Sequence, residues 1–138
     1  MEISLEDLTN KLKLRINSSA GNLNCKFYDN KIGLEFKNGD DDYRIVLFQP
    51  DTNNSESYQV RYYGNTQSIH NTFLDQSNIK LQKEIESSLV LKRLKELADI
   101  NKNHIGLLHL TANNILYEDG AKALEFFVDL FSTEIPHS

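Results

Sequence analysis

A chain of 138 residues has room for one domain around a single apolar core, and at that size it needs neither disulfides nor a structural metal to fold. With 25% charged and 39% hydrophobic residues and a mean hydropathy of -0.50, the composition is that of a water-soluble globular protein, neither membrane-embedded nor disordered. Fifteen Lys and Arg against twenty Asp and Glu leave a net charge of -5, which argues against a dedicated nucleic-acid binder that would grip phosphates with a basic surface.

The first residues, Met1 to Asp7, are acidic and carry no basic, apolar leader, and no run approaches the ~20 apolar residues that cross a bilayer. Cys25 is single, so no intramolecular disulfide framework exists, and a reducing compartment fits. The expected location is the cytoplasm, without membrane contact.

Ser4 followed by Asp7 has the spacing of a capping box, and Leu5, Leu8, Leu12 and Ile16 recur at helical intervals, predicting a first helix over 5–16. Ser, Asn and Gly over 17–22 end it. The period then changes to two: Ile32, Leu34 and Phe36 alternate with Lys31, Gly33, Glu35 and Lys37. Runs rich in β-branched and aromatic residues at 25–28, 43–49 and 58–63 complete an antiparallel meander of four strands, with Asp29-Asn30 and Asn38-Gly39 at hairpin turns and a polar loop over 50–56. The helical period returns over 78–100 as one long helix, with Lys92–Glu96 and Lys95–Asp99 four residues apart on its exposed side. Residues 104–110 and 115–117 read as a short hairpin around Thr111-Ala-Asn-Asn114. A last helix opens at Glu118-Asp119-Gly120 and runs to about Thr133. The expected fold is α+β, one domain over 1–138: helix, four-stranded meander, long helix, short hairpin, C-terminal helix.

Motifs for chemistry are missing. His70, His104, His109 and His137 have no zinc-ligand spacing, and on a strand His104 and His109 would point to opposite faces. The triplet Asp40-Asp41-Asp42 lacks the alternation that wraps calcium and reads as a solvated turn. Cys25 heads a strand with no histidine beside it in sequence and reads as a small buried hydrophobe. Ser87 and Ser88 lack a Gly-x-Ser-x-Gly elbow, and the six glycines form no phosphate-binding loop. The sequence therefore predicts no metal, no cofactor and no enzyme, the alternative being a site assembled from distant residues.

Two surfaces carry more information. If the helices cover a sheet face formed by Ile32, Leu34, Phe36, Ile45, Leu47, Val60 and Tyr62, the other face is left with Arg44, Val46, Phe48, Gln59, Arg61 and Tyr63, in which Arg44, Arg61 and Tyr63 are candidate contact residues. The alternative is a sheet covered on both sides. On the last helix, Glu118, Lys122, Glu125 and Asp129 form a polar stripe, and Phe126 and Leu130 flank the core-facing arc, needing a neighbouring element, a second subunit or a partner. Charge is regional: residues 80–102 hold six Lys and Arg against four acids, and residues 103–138 one Lys against five acids.

These features predict a non-enzymatic, cytosolic protein-binding module, such as a bacterial immunity protein that inhibits a basic toxin or nuclease by complex formation. Glu118, Asp119, Glu125 and Asp129 would stand where a nuclease expects phosphates. In element order, size and acidity the chain also resembles small type III secretion chaperones, departing from them in the extra strand before the long helix. That resemblance implies a homodimer that holds a secreted effector, with Phe126 and Leu130, or residues 105–110, as dimer contacts. A third reading is a small enzyme or small-molecule binder with a pocket between sheet and long helix lined by His70, Arg44, Arg61 and Tyr63.

Overall fold

Ser4 opens the first helix, its Oγ accepting the Asp7 N–H at 3.1 Å, in a computed structural model that describes residues 4–16, 22–54 and 56–133. Residues 17–21 of the expected 17–22 loop, and the tail carrying Pro136 and His137, lie outside the described residues. Helix α1 (Leu5–Ile16) buries Leu5, Leu8 and Leu12 and is followed by strands β1 (Leu23–Tyr28), β2 (Lys31–Asn38), β3 (Asp42–Pro50) and β4 (Tyr58–Asn65). Asp29 and Asn30 adopt φ of 46° and 58°, and Gly39 a φ of 76°, as the first two hairpins require.

Three elements differ from the sequence expectation. Asn65 caps an additional helix, α2 (Thr66–Phe73), by accepting the Gln67 N–H at 2.8 Å, and Ile69 and Phe73 on it are fully buried. The long helix is two, α3 (Ile79–Glu86) and α4 (Leu89–Ile100). The break falls at Ser87-Ser88: Ser87 Oγ donates to the Glu84 carbonyl at 2.8 Å, closing α3, and Ser88 turns to extended backbone and caps Leu91 N at 3.2 Å, opening α4. Neither expected i,i+4 pair is what crosses this region. Lys95 reaches back to Glu86 and Gln82 of α3, and Arg93 takes Glu96.

The expected short hairpin is one strand, β5 (Leu107–Ile115), followed by α5 (Tyr117–Thr133). Asn114 does take the positive φ of a turn residue, 55°, but its N–H is held by Asp51 Oδ2 at 3.1 Å, while Asp51 Oδ1 accepts the Asn53 N–H at 2.9 Å. A buried carboxylate from the β3–β4 loop thus converts an apparent turn into a β-bulge, where the pairs Tyr58↔Ile115 and Val60↔Ala112 differ in register by one residue. The product is a five-stranded antiparallel sheet in the order β1-β2-β3-β4-β5, within an α+β fold.

The register also corrects the expected faces. Leu34 stands opposite Val46, Phe36 opposite Arg44 and Ile32 opposite Phe48, and residues directly opposite share a face. Arg44, Val46 and Phe48 therefore join Ile32, Leu34, Phe36, Val60 and Tyr62 under the helices, whereas Ile45 and Leu47 point the other way. The run from Tyr43 to Phe48 is apolar in both phases, so periodicity alone could not choose. Helix α5 closes the core: Phe131 stacks on Phe36 at 4.8 Å between centroids, and Phe127 meets Tyr62 edge-on at 5.0 Å. Each such buried side chain contributes about 1.5–3 kcal/mol relative to exposure. No described helix is long and apolar enough to cross a membrane.

Candidate functional site

The helix layer carries a groove of about 690 Å³ between α3–α4 on one side and α5 on the other. Of the contact residues expected from sequence, Asp119, Glu125, Phe126, Asp129 and Leu130 line it, and Glu118 stays exposed outside. Phe126 and Leu130, the residues left beside the core arc, are half-buried and form the apolar α5 wall. Leu81, Leu89 and Leu91 form the facing wall, with Lys80 and Glu84 at its rim. These residues were not expected, because the groove exists only where the chain breaks at Ser87-Ser88 and folds α3 against α4. The adjacent serines were the available signal.

The lining carboxylates Glu84, Asp119, Glu125 and Asp129 outnumber the lysines Lys80 and Lys122. Two of them are engaged from α1: Lys11 lies 3.5 Å from Glu125, and Arg15 donates to Asp129 at 2.5 Å while standing 3.7 Å from Glu125. Such solvent-facing pairs are worth roughly 0–1 kcal/mol, so a partner's cations can replace them at little cost.

The opposite face of the sheet is uncovered among the described residues. Tyr63 stacks on His109 at 4.1 Å with the rings 9° apart, and its hydroxyl accepts from Arg61 Nη1 at 3.3 Å. With its amide oxygen toward Arg61, Gln59 accepts from Nε at 2.7 Å and Nη2 at 3.1 Å, and Thr111 Oγ1 lies 3.0 Å from His109 Nε2. Burial pushes the His109 pKa down, with the Arg61 charge adding to the effect. Tyr28 lies over Gly33, where an added Cβ would meet its ring at 3.0 Å. Burial first, then Glu35, Tyr43 and Tyr63, push the Tyr28 hydroxyl pKa up.

Arg44 is not on that face. It is 5% exposed in the core, so its expectation as a contact residue is corrected: Asp42 takes its guanidinium on the inner side, where its central carbon lies 5.1 Å from the ring centre of Phe36 and 5.4 Å from that of Phe131. The four residues of the expected enzyme pocket do not converge either. Arg44 is buried under the helices, Arg61 and Tyr63 lie across the sheet from it, and His70 sits on α2. Cys25 is 2% exposed with its thiol pushed up to about 11 by burial, the reverse of an activated nucleophile. Among the described residues no three His, Cys, Asp or Glu side chains are grouped to hold a metal ion. Comparison with protein-family models, curated proteins and solved structures finds no match for this chain.

Proposed function

We propose that the chain is a non-enzymatic protein-binding module acting in the bacterial cytoplasm, of the immunity type, which neutralises a toxin or nuclease by complex formation. The groove between α3–α4 and α5 receives a basic segment of that partner. The observation that carries this reading is the combination in one concavity of apolar walls, from Leu81, Leu91, Phe126 and Leu130, with four lining carboxylates, two of which are matched only by the solvent-facing Lys11 and Arg15. Apolar walls supply contact area, and the rim steers a cationic partner and rejects acidic ones. The Lys11 and Arg15 side chains hold Glu125 and Asp129 in place until the partner's cations displace them.

Affinity capture from the source cell at low and moderate salt tests the reading, with wild type beside a variant in which Glu118, Asp119, Glu125 and Asp129 are all changed to Lys. A basic protein held by wild type, released by salt and lost from the variant supports it. A control reversing Glu35, Asp40 and Asp41, away from the groove, keeps the partner. Unchanged capture by the groove variant overturns the electrostatic docking, and a co-purifying exported protein favours the secretion-chaperone reading instead.

A further inference from the structure

The helices bury one face of the sheet, through Val46, Phe48, Val60, Tyr62, Leu110 and Ala112, and on the other face Tyr28 stays 40% exposed and Tyr43 46%. Register sets one residue of each strand in a row across that outer face: Lys26 opposite Gly33, Gly33 opposite Leu47, Leu47 opposite Arg61, and Arg61 opposite Thr111. Five strands spaced about 4.8 Å apart make the row roughly 19 Å long. Its middle is apolar, from half-buried Leu47 with Ile45 beside it, and Gly33 adds no side chain there, so the Tyr28 ring lies down on it. The Lys31 ammonium stands 5.5 Å from the centre of that ring.

Charge on this stripe runs against the charge of the chain. Lys26, Lys31 and Arg61 share it with one carboxylate, Glu35, in a protein of net charge -5. The Lys26–Glu35 pair, at 3.7 Å, faces solvent and is worth roughly 0–1 kcal/mol. Arg61 is held by neutral groups, the Gln59 amide oxygen and the Tyr63 hydroxyl, which orient its guanidinium without cancelling its charge. Asp29 in the first hairpin turn and Asp40-Asp41 in the second put carboxylates beyond both ends of β2, so the basic stripe crosses the strands instead of following them.

We infer that this stripe docks an acidic segment of another protein, which lies across the strands with carboxylates on Lys31 and Arg61 and apolar side chains on Ile45 and Leu47. Charge complementarity selects that occupant: contacts at close range are governed by the local cations, since salt screens the rest of the chain beyond a Debye length of about 10 Å. Arg and Tyr are also the side chains that binding hot spots favour. A nucleic acid would need open ring faces on which to stack its bases, but Tyr63 is already stacked on His109 and the Tyr28 ring lies on Gly33. The stripe is on the far side of the sheet from the α3–α5 groove and opposite to it in sign, so the two surfaces succeed or fail separately.

Titrating the isotope-labelled full chain with a short soluble peptide of Glu and Leu tests the inference, read from the amide resonances of Gly33, Leu47 and Arg61 and from the Arg61 Nε–H. Saturable shifts are expected at these positions, with a dissociation constant that rises with salt. Lys26→Glu/Lys31→Glu, neither change in the core, is expected to weaken binding at least about tenfold with an unchanged circular dichroism spectrum. The same peptide with Lys in place of Glu is expected to leave these resonances unmoved. Absence of saturable shifts at these residues overturns the inference, as does binding that survives the double substitution or is matched by the Lys peptide. Oligothymidylate binding the stripe more tightly than the Glu peptide assigns it to nucleic acid and overturns it too. So does self-association of wild type that moves the same resonances and is lost from the variant, which assigns the stripe to a second copy.

Discussion

Arg44 is forked onto Asp42 beneath the sheet, Nε to Oδ1 at 2.9 Å and Nη2 to Oδ2 at 2.7 Å, with Ser68 Oγ donating to the same carboxylate at 2.8 Å. The guanidinium, 6% exposed, is the less hydrated partner, and the carboxylate, at 20%, keeps some water. The pair is therefore asymmetric under mutation. Asp42→Ala strands a buried cation and is expected to cost about 3–5 kcal/mol. Arg44→Met replaces the cation beside Phe36 and Phe131 with an apolar chain and is expected to cost less, because the remaining carboxylate sits at a wet hairpin end. Urea midpoints of the two variants give the comparison. An Asp42→Ala protein as stable as wild type would mean that the guanidinium reaches solvent when released.

Gly120 lies in the first turn of α5, where a Cβ would stand 2.3 Å from Phe48 Cε1 and 2.6 Å from its Cζ. Helix propensity alone favours Ala over Gly by about 1 kcal/mol. The overlap runs the other way, because Phe48 is fully buried beside Tyr58 and Tyr117 and has nowhere to retreat. Gly120→Ala is expected to destabilise by about 1–3 kcal/mol net. Adding Phe48→Leu makes room for the methyl group, so the two changes together cost less than their sum. Strict additivity in thermal or urea unfolding would refute the contact.

How far the fold could be read from sequence follows from which signals are local. Ser4, Asp29-Asn30 and Asn38-Gly39 act within a few residues, and the elements they start or join stand where the sequence places them. The division at Ser87-Ser88 was local too, but the leucines on either side continue a helical period and masked it. The fate of Asn114 depends on Asp51, 63 residues away, and no window holds both. The face of β3 is set by pairing with β2, since Arg44 alternates with residues apolar in both phases, and the charge that argued for solvent is neutralised by Asp42 two residues earlier. For the candidate site, α5 was legible because its stripes lie on one helix. The opposing wall was not, because it arises from two helices folding together.

The Cys25 thiol, pushed up to about 11 by burial against a countering effect from Lys13, fixes an alkaline dependence. The native state holds the thiol proton more tightly than the unfolded chain, whose ordinary value is 9.0. Stability from this group is therefore complete below pH 9 and declines as pH rises from 9.0 toward 11. Urea unfolding across that interval should show the decline in wild type and less of it in Cys25→Val. At neutral pH a thiol-specific disulfide reagent should label the protein only once it unfolds. Rapid labelling of the native state would contradict the burial.

His109 titrates in the opposite sense. Its pKa is lowered from 6.5, first by burial against the sheet and second by the Arg61 charge, so the unfolded chain binds a proton more readily than the folded one. The stability tied to this ring is present above pH 6.5 and is lost as pH falls through 6.5 toward the folded value. Following the imidazole Cε1–H resonance should give a native midpoint below 6.5. Arg61→Ala should raise that midpoint only part of the way, because the larger cause is burial. Full return to 6.5 on removing Arg61 would reverse the order of causes, and a wild-type midpoint at or above 6.5 would remove both. The ring lies 4.1 Å from that of Tyr63, so a tyrosine chemical shift should move with the same midpoint when the imidazole charges.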